Sequence, residues 1–144
     1  MTPHPIDERQ KRDLIEMLAA EQLPTDDLAD TAAEFFVFHD PQGARTGFAG
    51  LEMLGEVALL RSVVIMPGSR GRGHGAAIVR EMIAVAAKRG VKELFILTTT
   101  AAPFFAKLGF RPIERRQAPP SIASTPEFAS LCPASAIVMR RSTA

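Results

Sequence analysis

Residues 59–79, Leu-Leu-Arg-Ser-Val-Val-Ile-Met-Pro-Gly-Ser-Arg-Gly-Arg-Gly-His-Gly-Ala-Ala-Ile-Val, leave the chain little freedom. The run 59–65 is nearly all apolar and β-branched towards its end, as a strand covered on both faces should be. Pro67 and Gly68 stop it. From residue 75 to 87 the chain is rich in Ala, Ile, Val and Met, with no proline or further glycine, which predicts a helix. Between strand and helix, Gly71, Gly73 and Gly75 expose backbone N–H groups with no side chain in the way. The first N–H groups of a helix are also unpaired, and they form its positive end. The natural guest of such a cradle is an anion, most simply a phosphate or pyrophosphate.

Several phosphate motifs compete for these residues. Gly71 to Ala76 matches G-x-G-x-x-A, the dinucleotide fingerprint. That motif wants an acidic residue roughly 20 positions on, at the end of the next strand. Here the next apolar run, 94–97, leads into Thr98-Thr99-Thr100, with no carboxylate. A nucleoside-triphosphate loop is excluded because the chain contains no Gly-Lys-Ser or Gly-Lys-Thr. A disordered basic tail also fits Arg-Gly-Arg-Gly, but such tails are not flanked by core-forming segments. The remaining match is Arg70-x-x-Gly73-x-Gly75 directly after a hydrophobic strand.

The rest of the chain narrows the function classes. Its 144 residues predict a single domain, 1–144, with one core. A net charge of +1 gives no general attraction to nucleic acid or to a membrane. No long apolar run or signal-type start is present, so a cytoplasmic location is expected. One cysteine, Cys132, excludes an internal disulfide and a thiolate cluster. His4, His39 and His74 lack ligand spacing, so no metal is expected.

Taken in order, residues 1–6 read as an irregular arm because they carry two prolines. Residues 7–23 predict an amphipathic helix with Leu14, Ile15, Met17 and Leu18 inward. Thr25 looks like the cap of a second helix to about 33. Strands are expected at 35–38, 46–53 and 57–65, the first two joined by a turn at Asp40-Pro41-Gln42-Gly43. The helix from 75 ends at Gly90, and a strand at 93–97 closes a parallel βαβ crossover. A short helix is expected at 101–108, then a strand from 110 to about 115. Residues 117–126 read as a loop, 126–131 as a last helix capped by Thr125, and 136–139 as a final strand.

This order, together with Arg70-x-x-Gly73-x-Gly75, resembles the GNAT family of N-acetyltransferases. A second segment, Thr98-x-x-Ala101-x-x-x-Phe105-x-Lys107-Leu108-Gly109-Phe110, is similar to the family's N-x-x-A-x-x-x-Y-x-K-L-G-F stretch. Further likeness at Gly50-Leu51-Glu52, Leu59 to Ser62, Leu97 to Ala101 and Leu131 to Ala136 resembles the small GNAT proteins associated with bacterial arsenic-resistance operons. The resemblance implies an α/β fold of GNAT type, a mixed twisted sheet with helices on both faces. It also implies acetyl-CoA as co-substrate and direct acetyl transfer to the amine of a small molecule. Bare trivalent arsenic prefers several thiolates, which a lone Cys132 cannot supply, so an amine-bearing arsenical is the more plausible arsenic-linked acceptor.

By the same resemblance the backbone of Val63, Val64 and Ile65 pairs with the pantetheine arm. Residues Gly71 to Gly75 hold the pyrophosphate, with charge added by Arg70 and Arg72 and a contact from His74. Thr98 stands where the family has asparagine, and Phe105 where it has the tyrosine that protonates the departing thiolate. The chain contains no tyrosine. Cys132 is a candidate substitute acid; its other reading is a buried small hydrophobe. Glu52 is the candidate base, with Glu56 in a turn behind it. Arg61 interrupts an apolar strand and on period two would share a face with Leu59 and Val63. Its charge needs an anion, either Glu52 or the carboxylate of an amino-acid-like acceptor. The missing tyrosine keeps a second function in view, an acyl-CoA-binding module without turnover. The sequence leaves oligomeric state open, a homodimer included.

Overall fold

A computed structural model describes residues 3–20, 33–66, 68, 71, 73–125, 128 and 136–144. In chain order the elements are β1 (Pro3–Pro5), α1 (Glu8–Ala20), β2 (Glu34–His39), β3 (Arg45–Leu54), β4 (Val57–Ile65) and α2 (His74–Lys88). These are followed by β5 (Glu93–Thr98), α3 (Ala102–Lys107), β6 (Arg111–Ile113), α4 (Pro120–Ala123) and β7 (Ile137–Ser142). The strands form one sheet in the order β1-β2-β3-β4-β5-β7-β6. β2, β3 and β4 are an antiparallel meander, and β4 pairs parallel to β5 across α2. The turn at residues 40–43 closes with Gly43 N–H on the Asp40 carbonyl at 2.9 Å.

Alternation along the strands sorts the core into two faces. In β2, Phe36 and Phe38 join Ile78, Val79 and Met82 of α2 and Phe105 of α3 in the larger cluster. Phe35 and Val37, one step out of phase, join Leu14 and Leu18 of α1 on the other face. That second face continues from Leu59 of β4 to Phe95 and Val138 under Ile122 of α4. Helices therefore cover both faces, as the resemblance to the GNAT family implies. The approach of β4, with α2 behind it, is close enough to require glycine in β3. A Cβ on Gly47 would lie 2.3 Å from the Val64 carbonyl oxygen and 2.8 Å from Ile78 Cδ1.

Three expectations are corrected. The N-terminal arm is not irregular: Pro3–Pro5 pairs antiparallel with Phe36 to Phe38. Ile6 N–H donates to the Phe35 carbonyl at 3.1 Å, so His4, two residues back, also faces β2. Pro3 and Pro5 then turn their nitrogens outward, where an edge strand needs no donor. The expected loop 117–126 begins at the last residue of a 3-10 turn, Arg115–Gln117, and contains the short helix α4. Pro120 opens α4 at a position whose N–H would be unpaired anyway. The third correction concerns Arg61 and is given with the site. The helix expected at 25–33 has only its end, Ala33, among the described residues. Of the one expected at 126–131, Phe128 alone is described. Thr125 Oγ1 accepts Phe128 N–H at 3.3 Å and donates to the Ile122 carbonyl at 2.8 Å, while the rest of the helix it is expected to cap lies outside the described residues.

Candidate active site

The site begins where β4 and β5 part company. Their pairing covers Val57↔Glu93, Ala58↔Leu94 and Leu59↔Phe95, and then stops. β3 continues to follow β4 up to Ile65, while β5 continues beside β7 up to Thr98. Past Leu59 the sheet is therefore split, and no register pair joins β4 to β5 beyond that point among the described residues. An extended chain that brings its own amides can add to a strand at such a divide.

A bulge sits at the mouth of the split. Arg61 pairs with Gly50 and Val64 with Phe48, so Ser62 and Val63 together oppose the single residue Ala49. Ser62 takes φ 57, the only positive φ of a non-glycine residue among those described. The extra residue reverses the alternation. Ala58 and Leu60 face α2 before the bulge, and Val63 and Ile65 face it afterwards. Arg61 therefore shares its face with Leu59 and Val64, not with Val63 as strict period two predicts. Ser62 Oγ accepts a hydrogen bond from Arg61 Nε at 3.2 Å.

On that face lies the charged centre of the sheet. Arg61 is 3% exposed and Glu52 4%. Gly50 stands opposite Arg61 and Glu52 opposite Leu59, so the two charges are one diagonal step apart. Gly50 makes room for them: a Cβ there would meet the Phe35 ring at 2.8 Å and Arg61 Cγ at 3.3 Å. The pair separates the apolar cluster under α1 from the one under α4. A buried cation and a buried carboxylate this near each other relieve one another's burial cost.

Beyond the split lies the glycine loop. Gly71 has φ 79 and Gly73 φ 76, and neither would meet any atom with an added Cβ, so both serve backbone handedness. Gly75 serves space, since its Cβ would lie 3.3 Å from Phe104 Cζ and 3.5 Å from Ile65 Cδ1. Gly73 caps α2 without a side-chain hydrogen bond, and the first turn of α2 holds no acidic residue. The positive end of this 15-residue helix is thus left unneutralised. His74 opens the helix, and its buried Nδ1 has no hydrogen-bond partner among the described residues. A buried polar nitrogen without a partner beside an open helix end fits an anionic guest.

Across the split, Thr98 ends β5 at 9% exposure. Its Oγ1 accepts Ala101 N–H at 2.9 Å, which fixes the turn into α3 and leaves the hydroxyl proton to donate. Phe105 is 8% exposed. Its ring is edge-on to Phe104 at 5.0 Å and to Phe110 at 5.5 Å, committed to the core. Val63, Val64, Ile65, Gly71, Gly73, His74 and Gly75 therefore follow one another along one path, with Thr98 and Phe105 on the opposite bank. Arg70, Arg72 and Cys132 lie outside the described residues. Sequence reasoning missed three contributors: Ser62, Gly47 and Phe104. Glycines inside β3 were the available signal for the close approach, whereas nothing marks Ser62 as a bulge.

Comparison with known proteins follows from this geometry. The model of the acetyltransferase (GNAT) family matches residues 4–110. The chain belongs to that family. Within it, an uncharacterized N-acetyltransferase of Chlorobaculum tepidum is 33% identical over 67 residues, covering 46% of this chain and 43% of the relative. An amino-acid acetyltransferase of Mycobacterium tuberculosis is 33% identical over 90 residues, 60% of this chain and 51% of the relative. The chain thus spans about half the length of these curated relatives. Among solved structures, a M. tuberculosis protein in complex with CoA and NLQ superposes with a TM-score of 0.79 at 21% identity, over 99% of each chain. At that identity the likeness shows the fold, and the fold is the family's.

Proposed function

We propose that this chain is an N-acetyltransferase that moves the acetyl group of acetyl-CoA to the amine of a small, amino-acid-like molecule by direct transfer. The observation that carries the reading is the split between β4 and β5, ending at an uncapped helix with no acidic first turn. The stretch 63–65, beyond the end of the β4–β5 ladder, pairs with the amides of the pantetheine arm. The N–H groups of Gly71 to Gly75 take the pyrophosphate, aided by His74 and by the charges of Arg70 and Arg72. The M. tuberculosis structure with CoA bound is the same fold, which supports this placement.

Held side by side, amine and thioester react chiefly through proximity. The neutral amine attacks the carbonyl carbon, and a backbone N–H near Val64 stabilises the oxyanion. The C–S bond then breaks, an N–C bond having formed. Glu52 takes the amine proton directly or through a water. With Phe105 at the family's tyrosine position, the thiolate leaves without a phenol to protonate it, which a thiol pKa of about 8.5 permits. Cys132 is the alternative proton source. Arg61 draws the acceptor's carboxylate to the same face as Glu52, and the relative named an amino-acid acetyltransferase supports that class. An amine-bearing arsenical acid falls in the same class, which is where the resemblance to arsenic-resistance GNAT proteins leads. A cytoplasmic location accompanies this reading, since acetyl-CoA is supplied there.

The test is release of free CoA, read with a thiol reagent, over amino acids, their amides and simple amines. Turnover with free amino acids that weakens on amidation supports the reading. In Arg61→Ala the acceptor KM should rise far more than that of acetyl-CoA. A folded protein with no affinity for acetyl-CoA overturns it. One observation favours a second reading, an acyl-CoA-binding module without turnover: Phe105 is buried among phenylalanines and the chain has no tyrosine. That reading predicts calorimetric binding of acetyl-CoA with no CoA release on any amine.

A further inference from the structure

At the far end of β5 from the split lies a cavity of about 330 Å³ lined by Glu93, Gly109, Arg111, Arg140, Arg141, Ser142 and Ala144. Glu93 opens β5 and Thr98 closes it, so the cavity is roughly 17 Å from the proposed cofactor cleft at about 3.3 Å per residue. None of these residues takes part in acetyl transfer as described above. Three guanidinium groups face one side-chain carboxylate here.

Their arrangement is costly without a guest. Arg111 and Arg140 are direct partners in the β6–β7 ladder, so two cations stand opposite each other on one face. Like charges in that position destabilise a sheet. Arg140 Nε reaches Glu93 at 3.3 Å. The Arg111 side chain makes no hydrogen bond or ion pair among the described residues, and is exposed. Arg141 belongs to the opposite face but folds against Gly109, where a Cβ would meet its Nε at 2.8 Å. Gly109 also holds φ +91, so that space is kept by a residue that resists replacement. Arg141 is held there by its Nη1 donating to the Ser142 carbonyl at 3.2 Å. The result is a set of planar forks with unused donors around a cavity large enough for a phosphate or diphosphate group.

We infer that this cavity is a second anion site, which binds a phosphate-bearing small molecule while the cofactor cleft is occupied. The probe is inorganic pyrophosphate, titrated into the full chain saturated with coenzyme A so that the glycine loop is unavailable. Arginine Nε–H resonances are the readout, with sodium chloride at matched ionic strength as control. Saturable shifts of Arg111, Arg140 and Arg141 are expected. Arg111→Gln with Arg141→Gln should weaken pyrophosphate about tenfold or more, since each lost bond is to a charged group. Glu93→Gln should tighten it, because the competing carboxylate is gone. Neither variant touches the acetyl-transfer machinery, so coenzyme A affinity serves as the check on folding. Adenosine monophosphate forms a second arm: tighter binding than inorganic phosphate assigns the site to nucleotides, and equal binding assigns it to free phosphate. Shifts that rise linearly and match those in chloride overturn the inference, as do saturable shifts unchanged in the double variant. If coenzyme A itself fails to bind, the proposed function falls while the pyrophosphate titration still decides this site.

Discussion

Replacing Gly47 by alanine tests the spacing on which the cleft depends. The added Cβ would sit 2.3 Å from the Val64 carbonyl oxygen, whereas real Cβ contacts do not fall below 3.0 Å, so β4 must retreat by at least 0.7 Å (3.0 minus 2.3). The other obstacle, Ile78 Cδ1 at 2.8 Å, belongs to a side chain with no exposed surface and little room to turn. Overpacking of this kind costs about 1–3 kcal/mol. For a domain of this size that corresponds to a fall in Tm of roughly 3–12 °C. The displaced carbonyl lies in the run 63–65, so the strand edge proposed to hold the pantetheine arm moves with it. A shift approaching 1 Å lowers kcat/KM for acetyl-CoA by roughly tenfold to a hundredfold. Thermal denaturation and CoA-release kinetics measure the two effects. Gly43→Ala is the control, because its φ of +86 is strained while no atom lies within 4 Å of the new Cβ. It should lose about 1–2 kcal/mol and leave the kinetics alone. A Gly47→Ala protein that melts with the wild type and keeps its kcat/KM would refute the described packing of β3, β4 and α2.

Three further substitutions probe the two banks of the cleft. Gly73→Ala forces a side chain into φ 76 at the head of α2; it should cost about 1–2 kcal/mol and weaken acetyl-CoA in calorimetry, and unchanged affinity would remove this turn from the cradle. Thr98→Val keeps the shape but orphans the Ala101 N–H. A loss of about 1 kcal/mol in urea denaturation is expected, and an unchanged midpoint would mean that α3 needs no such anchor. Phe105→Tyr should leave acetyl-CoA affinity and kcat unchanged while lowering stability by about 1–3 kcal/mol, because the hydroxyl is added to a buried cluster of phenylalanine rings. A large gain in kcat with a new alkaline limb in its pH profile would show instead that the ring tip reaches the thiolate.

The parts of this fold that could be read from the sequence are those governed by period and by glycine. The strand 57–65 is found with the bounds expected, and the parallel crossover through α2 follows from an apolar strand, a glycine turn and a helix that ends at Gly90. What escaped depends on register and on which edge a residue faces. Pro3 and Pro5 argue against a strand until it is known that their nitrogens point away from β2. Ser62 gives no local sign of its bulge, since the extra residue is counted against Ala49 in another strand. That single residue moves Val63 off the face of Arg61. The burial of Arg61 and Glu52 together was readable as a possibility from charges within apolar runs. Their diagonal placement required the β3–β4 register. Expectations for Arg70, Arg72 and Cys132 fall outside the described residues and stay with the proposed function.

The two margins of the sheet have a consequence for how the chain behaves in a crowded solution. β1 turns the ring nitrogens of Pro3 and Pro5 outward, and β6 carries Pro112 at its middle. A neighbouring polypeptide that tried to zip onto either border would find donors missing at the positions where a ladder needs them. Fibril-like stacking is discouraged at both borders by the backbone itself, whatever charges surround it. Should two copies associate, they would have to meet through the helix-clad flanks and not by prolonging the sheet.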